Sequence, residues 1–225
     1  MFESNYELKC KKVIDNIINL VENKSVSQAF KHIVKNEKGG NRVDYNLAEK
    51  TLHNITNIYT YLDYLENTKE NTPNHIIIIF KLYSYLHCIE NKYTYKVIGN
   101  LLRLLKRKDV KGDLFDKSNS GIQCFKNLKN SSDLSIMEVN SLFEVWESFI
   151  DQNLRNAISH NDYIINDKEL IIPSVILDEI KCEPVSNQYS YTFKNINDLY
   201  IKANEFQNAF KTIAQKYGKL LGPRY

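Results

Sequence analysis

A short polar cluster in the second half of the chain carries the side chains that acid–base chemistry on a phosphate requires. Arg155, Asn156 and His160 lie within six residues of one another, and Asp162 and Tyr163 follow. An arginine can bind two phosphate oxygens at once, and a histidine can take up or release a proton near neutral pH. The same residues also fit a structural role, because cations are favoured near the C-terminus of a helix.

The segment that leads to this cluster has the apolar spacing of a long amphipathic helix, here called the motif helix. It runs from Ser135 to His160 and begins with a capping box, Ser135-x-x-Glu138. Arg155 lies about 140° from His160 around an ideal helix. The two side chains can therefore converge only if the last turn unwinds or if a second copy of the chain packs on this face. The expected core-facing row is Phe143, Trp146, Ile150, Leu154, Ala157 and Ile158.

A second apolar row on the motif helix suggests where such a copy would pack. Leu142, Val145 and Phe149 lie on one side of the helix, and the row continues to Asn156 and His160. We therefore expect a homodimer that forms through the motif helix.

The rest of the pattern predicts a mainly α fold. We expect a helical bundle with a small β-hairpin or three-stranded sheet between the motif helix and the last helix. Residues 1–40 should form an N-terminal helical hairpin packed on the main bundle, and residues 41–225 should form the main helical domain. A loop at about 110–134 follows from the failure of the apolar pattern there, and it could be a lid, a specificity loop or a tolerated insertion.

Period-two patterns after His160 predict the strands. Residues 163–165 and 170–172 should form a hairpin, with Pro173 either ending the second strand or marking it as an edge. Tyr189, Tyr191 and Phe193 alternate in the manner of a third strand, and Asn195 should cap the last helix. The apolar run at 76–79 is assigned to a helix because its pattern continues to Ile89.

Composition excludes several classes of function. The chain has 225 residues, a net charge of +3 and only seven glycines, which argues against a P-loop or a dinucleotide-binding turn. Neither the cysteines nor the histidines show metal-ligand spacing, so we expect reduced thiols, no metal and no cofactor. The cysteines and histidines without such spacing are Cys10, Cys88, Cys124, Cys182, His32, His53, His75 and His87.

The N-terminus has no secretion signal and no apolar run is long enough to cross a membrane, which predicts a cytoplasmic protein.

A basic cluster at 103–111 has two interpretations. Its cations, Arg103, Lys106, Arg107, Lys108 and Lys111, could be favoured simply because they follow a helix C-terminus. Alternatively, they could follow the phosphates of an RNA strand.

One arginine and one histidine suit metal-free cleavage of RNA, in which the 2′-hydroxyl is the internal nucleophile. The histidine can take the proton of that hydroxyl, and the arginine can offset the charge that builds on phosphorus. The leaving 5′-oxygen also needs a proton. A chain with one such histidine can serve both roles only if two chains face each other.

The arrangement resembles the HEPN family (higher eukaryotes and prokaryotes nucleotide-binding). The resemblance consists of the motif Arg155-Asn156-x3-His160 at the end of a helix, followed by a short hairpin and a long last helix. It implies an all-helical dimer that acts as a metal-independent endoribonuclease and leaves 2′,3′-cyclic phosphate ends. His160 would be the acid–base, Arg155 would stabilise the phosphate, and Asn156 would orient the pair.

The resemblance also implies a biological setting. Many HEPN ribonucleases are toxins of toxin–antitoxin pairs or effectors of abortive infection and antiviral defence, so RNA and an antitoxin or regulatory partner are expected. Toxins whose antitoxin is a nucleotidyltransferase carry a tyrosine two positions after the histidine, where this chain has Asp162 and then Tyr163. The alternative function is a HEPN-like module or partner subunit that binds RNA or a nucleotide without cutting it.

Overall fold

The computed structural model describes residues 4–21, 26, 29, 60–62, 64–65, 73–111, 114–116, 118–177 and 184–218. The helices fully described within these ranges are α1 (Asn5–Asn19), α2 (Asn74–Ile89), α3 (Lys92–Leu105), α4 (Gly121–Ser131), α5 (Met137–Glu147), α6 (Gln152–His160) and α7 (Phe193–Gly218). Residues 60–62 and 64–65 are helical as well. The strands are β1 (Ile164–Ile165), β2 (Glu169–Leu177) and β3 (Pro184–Thr192).

The predicted fold class is confirmed. The chain is mainly helical, and a three-stranded antiparallel sheet of order β1-β2-β3 lies between α6 and the last helix. Ile165 pairs with Leu170, and Leu170 pairs in turn with Tyr191. The helical assignment of residues 76–79 is also confirmed, since they lie within α2.

Of the two alternatives for Pro173, an end of the strand is wrong, because β2 continues through it to Leu177. The edge alternative fits, because β1 pairs only with Leu170 and Ile171 and leaves that side of β2 unpaired at Pro173. The start of the last helix differs from the prediction. α7 begins at Phe193 rather than after Asn195. The hydroxyl of Thr192 accepts a hydrogen bond from the backbone N–H of Asn195, so Thr192 is the N-cap.

The prediction of one continuous motif helix from Ser135 to His160 is wrong. The segment forms two helices, α5 and α6, separated by residues 148–151. The capping box at Ser135 is wrong too, because the N-cap of α5 is Ile136 and makes no side-chain hydrogen bond. Ser135 instead turns back to the carboxylate of Asp133, to which it donates from both its backbone N–H and its hydroxyl.

The predicted loop at about 110–134 contains a helix. α4 begins after Ser120, whose hydroxyl accepts a hydrogen bond from the backbone N–H of Gln123. Ile122, Phe125 and Leu128 bury the apolar face of α4. Asparagine and serine residues favour a loop by composition, yet several of them lie on the solvent side or at the ends of this helix, where they do not oppose it.

The prediction that Leu142, Val145 and Phe149 form a dimer surface is also wrong. All three side chains are buried inside the chain, at 1% exposure or less. α5 has two apolar rows because it is covered on more than one side, and α1 is one of the helices that pack against it. Any pairing of two chains must therefore use another face.

The N-terminal segment joins the main core. Cys10, Ile14 and Ile17 of α1 are fully buried, and α1 packs against α5 and α7. Of the expected second helix of the hairpin, only Val26 and Ala29 are described, and both are helical and buried. The boundary expected at residue 40 lies outside the described residues.

A buried polar network fixes the junction of α2 and α3. The side-chain amide of Gln207 donates to the carbonyl of Cys88 at 2.9 Å, and its oxygen accepts from Asn91 at 3.1 Å and from Thr94 at 2.8 Å. Buried polar groups that are fully paired hold a unique geometry. The network therefore sets the direction in which Glu90 leaves the end of α2.

Candidate functional site

α6, the short helix that carries the motif, is held at its start by Asp151. One carboxylate oxygen of Asp151 accepts from the backbone N–H of Leu154 at 2.9 Å, and the other accepts from the hydroxyl of Tyr191 at 2.9 Å. The hydroxyl of Tyr85 donates to the carbonyl of Phe149 and accepts from the backbone N–H of Asp151, each at 2.9 Å. These contacts satisfy the backbone groups exposed by the break between α5 and α6.

Arg155 is fixed by an ion pair across the fold. Its Nε donates to one carboxylate oxygen of Glu90 at 2.6 Å, and its Nη1 donates to the side-chain oxygen of Asn156 at 3.1 Å. The other oxygen of Glu90 accepts from the backbone N–H of Gly121 at 2.7 Å. Glu90 thus joins the end of α2, the start of α4 and the middle of α6.

The pair is largely shielded from water. The side chains of Arg155 and Glu90 are 18% and 25% exposed, so loss of either partner would leave the other charge poorly solvated. A guanidinium has five N–H donors, and within the described part of the chain Glu90 and Asn156 take two of them. The remaining donors can bind an anion.

His160 lies apart from this pair. It is the last residue of α6 and is exposed. Among the residues that the structure describes, no hydrogen bond or ion pair to its side chain is found. The last turn does not unwind, because α6 is helical up to His160 and Asn161 ends it in the left-handed conformation at φ 56°. One chain therefore brings Arg155 and Asn156 together but leaves His160 on another side of the helix.

Tyr83 lies close to the C-terminal end of α6. Its hydroxyl donates to the side-chain oxygen of Asn161 at 3.3 Å. Burial raises the pKa of the Tyr163 hydroxyl, and the neighbouring Tyr83 phenol raises it further. Because Glu90 pairs with Arg155 and Tyr83 pairs with Asn161, α2 and α6 run past each other in opposite directions. Tyr83 and Glu90 thus lie at opposite ends of the contact.

The basic cluster partly serves the fold. Arg103 donates to the carbonyl of Asp109 at 2.8 Å, and Lys106 donates to the carbonyl of Ser131 at the end of α4. Lys108 and Lys111 have exposed side chains. Arg103 and Lys106 thus have structural contacts, and both interpretations of the cluster stay predictions.

Another cation lies beside α6. Lys126 of α4 donates to the side-chain oxygen of Gln152 at 2.7 Å. Gln152 belongs to the first turn of α6, one turn before Arg155. The positive charge near the motif therefore comes from α4 as well as from α6.

Three of the four thiols are buried and unpaired: Cys10, Cys88 and Cys124. Burial raises the pKa of the Cys88 thiol to about 12 and, as the largest cause, that of Cys124 to about 11. In the described part of the chain no group of three or more His, Cys, Asp or Glu residues could hold a metal ion. Cys182 lies outside the described residues.

Replacing Gly121 with alanine is expected to destabilise the chain. The added Cβ would lie 1.9 Å from the carbonyl oxygen of Ile89, and neither backbone can move without breaking the contact between Gly121 and Glu90. We expect a loss of about 2 kcal/mol or more in the free energy of unfolding, measured with urea.

Gly99 offers a matched control on α3. A Cβ there would meet only the ends of the Leu114 and Leu128 side chains, which can turn aside, and alanine is a better helix former. If Gly99→Ala costs as much as Gly121→Ala, the close approach to Ile89 is not what requires glycine at 121.

Comparisons with protein-family models, with curated proteins and with solved structures give no match to this chain. The resemblance to the HEPN family accordingly depends on the motif residues and on the order of the elements around them. In the described residues, no helix is both long enough and apolar enough to cross a membrane.

Proposed function

We propose that the chain is a metal-independent endoribonuclease that cleaves RNA by attack of the 2′-hydroxyl and leaves 2′,3′-cyclic phosphate ends. The observation that carries this proposal is the fixed guanidinium of Arg155. Glu90 and Asn156 orient it at a partly open surface, and the exposed His160 ends the same nine-residue helix. Phosphodiester cleavage without a metal requires a pre-oriented cation and a titratable group that reach the same phosphate, and α6 carries one of each on different sides.

Each motif residue has a role in the reaction. His160 takes the proton of the 2′-hydroxyl while its oxygen attacks phosphorus. The remaining N–H donors of Arg155 bind the non-bridging oxygens, and Asn156 keeps the guanidinium in place. The bond from phosphorus to the 5′-oxygen breaks, and that oxygen receives a proton. No water, metal or cofactor is consumed in this step.

The geometry of one chain supports a composite site. Arg155 and His160 lie on different sides of α6, so His160 of a second copy is the natural source of the second proton. The solvent face of α6 is polar, with Gln152, Asn153, Ser159 and His160 exposed. A homodimer through this face would be polar and transient rather than obligate.

The HEPN resemblance further implies the setting. We propose a bacterial toxin or antiviral defence effector that acts in the cytoplasm under the control of an antitoxin or regulatory partner. The absence of a tyrosine at position 162 argues against control through modification of a tyrosine there.

A non-catalytic RNA- or nucleotide-binding module is the second candidate. The observation that favours it is the ion pair itself, because Glu90 offsets the charge of Arg155 and His160 does not approach the pair. Such a module would bind RNA and never cut it.

The test of the first proposal is cleavage of a defined RNA in EDTA, followed by analysis of the product ends. We expect cutting with 2′,3′-cyclic phosphate at the 5′ fragment. An oligonucleotide of the same sequence with 2′-O-methyl groups throughout should stay intact, because it lacks the nucleophile. A requirement for magnesium, or cutting of the methylated strand, would contradict this mechanism.

A further inference from the structure

Four exposed aromatic side chains cluster next to the motif and are here called the aromatic strip. They are Tyr61, Tyr64, Phe80 and Tyr83, with exposures of 52%, 53%, 39% and 40%. Single exposed aromatics are ordinary, whereas a contiguous row of them marks a binding surface. The proposed reaction does not use any of the four.

Three of the four rings of the strip contact one another. Tyr61 and Tyr64 are nearly parallel, with centroids 6.4 Å apart and an interplanar angle of 24°. Phe80 meets Tyr61 edge to face, with centroids 6.1 Å apart. Tyr83 lies three residues after Phe80 and thus on the same side of α2. The ring contacts hold Tyr61, Tyr64 and Phe80 in place, while 39% to 53% of each side chain of the strip stays exposed.

The strip ends at the candidate site. Tyr83 donates to Asn161, the residue that follows His160. The same side of α2 continues through the exposed His87 to Glu90, which holds Arg155. At 1.5 Å per residue, Phe80 and Glu90 are about 15 Å apart along the helix. An extended ligand that lies on the strip would therefore reach Arg155 at one end.

Charge changes along this path in the order that a nucleic acid strand would need. The aromatic end consists of rings, three of them phenols. The far end has Arg155 and also Lys126 of α4, which contacts Gln152 one turn before Arg155 on α6. Rings can stack on bases, and the cations can bind phosphates. A hydrophobic protein partner is less suited, because it would have to bury three phenol hydroxyls.

We infer that the aromatic strip binds the bases of unpaired RNA and leads the strand to Arg155 and His160. This inference rests on the proposed function and names its substrate class. In a duplex the bases stack on one another and offer no open face, so a stacking platform selects single strands, loops or ends. The chain would then cut RNA where it is unpaired.

Binding of an uncleavable RNA tests the inference. The probe is a fluorescently labelled 12-nucleotide 2′-O-methyl strand in EDTA, followed by anisotropy with the full native chain. We expect Tyr61→Leu and Tyr83→Leu each to weaken binding about 5- to 100-fold, because each removes one stacking face. Tyr61→Phe and Tyr83→Phe should bind within about twofold of the native chain, since the ring remains.

Three controls separate stacking from other effects. Tyr189→Leu removes an exposed tyrosine on β3, outside the strip, and should leave binding unchanged. The same sequence as a duplex should bind more weakly than the single strand. An abasic strand of equal length should show no difference between Tyr61→Leu and the native chain, because it has no bases to stack.

Other results would overturn the inference. It fails if the leucine variants bind the single strand as the native chain does, or if they weaken the abasic strand equally. It also fails if the leucine variants change only the oligomeric state of the chain, measured by sedimentation, because the strip would then be a protein–protein surface. Because the probe cannot be cut, base-dependent binding by a chain that never cleaves RNA would support the inference and overturn only the proposed function.

Discussion

Replacing His160 with alanine is expected to slow RNA cleavage about 100- to 10,000-fold, the usual contribution of a positioned acid or base. The free energy of unfolding should change by less than about 0.5 kcal/mol, as for other exposed positions. The reason is that His160 is exposed and, in the described part of the chain, its side chain makes no hydrogen bond. The measurements are single-turnover cleavage in EDTA and urea unfolding of the same preparations.

His75 provides the matched control. It is an exposed histidine in the first turn of α2, at the other end of that helix from Glu90. His75→Ala should cut RNA as fast as the native chain. If His160→Ala retains full activity, either His160 is not the acid–base or a contaminating ribonuclease does the cutting, and the assignment of roles fails.

Mixing the native chain with His160→Ala tests the composite site. If each site needs His160 from both copies, every mixed dimer is silent. At protein concentrations at which nearly all chains are dimeric, an equal amount of variant should lower the activity of a fixed amount of native chain to about half, because only a quarter of the dimers are then fully native. If each chain acts alone, the variant has no effect. The second result would require another group to protonate the 5′-oxygen.

Apolar periodicity predicts the fold correctly where the spacing fits only a helix or only a strand. The alternation around Leu170 and Tyr191 predicts strands, and both residues lie in paired strands, β2 and β3. The apolar spacing does not reveal the break in the motif helix, because the apolar row continues across it and both α5 and α6 bury the same kind of face. The signal in the sequence is Asp151, because aspartate is a good N-cap. Its carboxylate accepts a hydrogen bond from the backbone N–H of Leu154, three residues later.

The polar partners of the site could not be predicted in the same way. Arg155, Asn156 and His160 were found because they are close in sequence, whereas Glu90 meets Arg155 across 65 residues of chain. Tyr83 meets Asn161 across 78 residues. No local pattern encodes such pairings, since they depend on how α2 packs against α6. The roles of the three motif residues themselves stay predictions.

Replacing Arg155 with alanine is expected to affect both cleavage and stability. Cleavage should fall about 100- to 1,000-fold, because the charge that develops on phosphorus loses its main donor. Stability should fall by about 1–3 kcal/mol, because Glu90 keeps its charge in a largely buried place without its cation. Arg155→Lys should recover part of the stability but little of the rate, since lysine cannot reproduce the planar fork.

The double variant Arg155→Ala with Glu90→Gln separates these two effects. Glutamine has no charge to leave unpaired, and its side-chain oxygen can still accept from the backbone N–H of Gly121. The double variant should therefore regain most of the lost stability and none of the lost cleavage. Rates and urea unfolding of the two single variants and the double variant complete the cycle. If cleavage returns together with stability, Arg155 only holds α2, α4 and α6 together, and the group that binds the phosphate must be sought elsewhere.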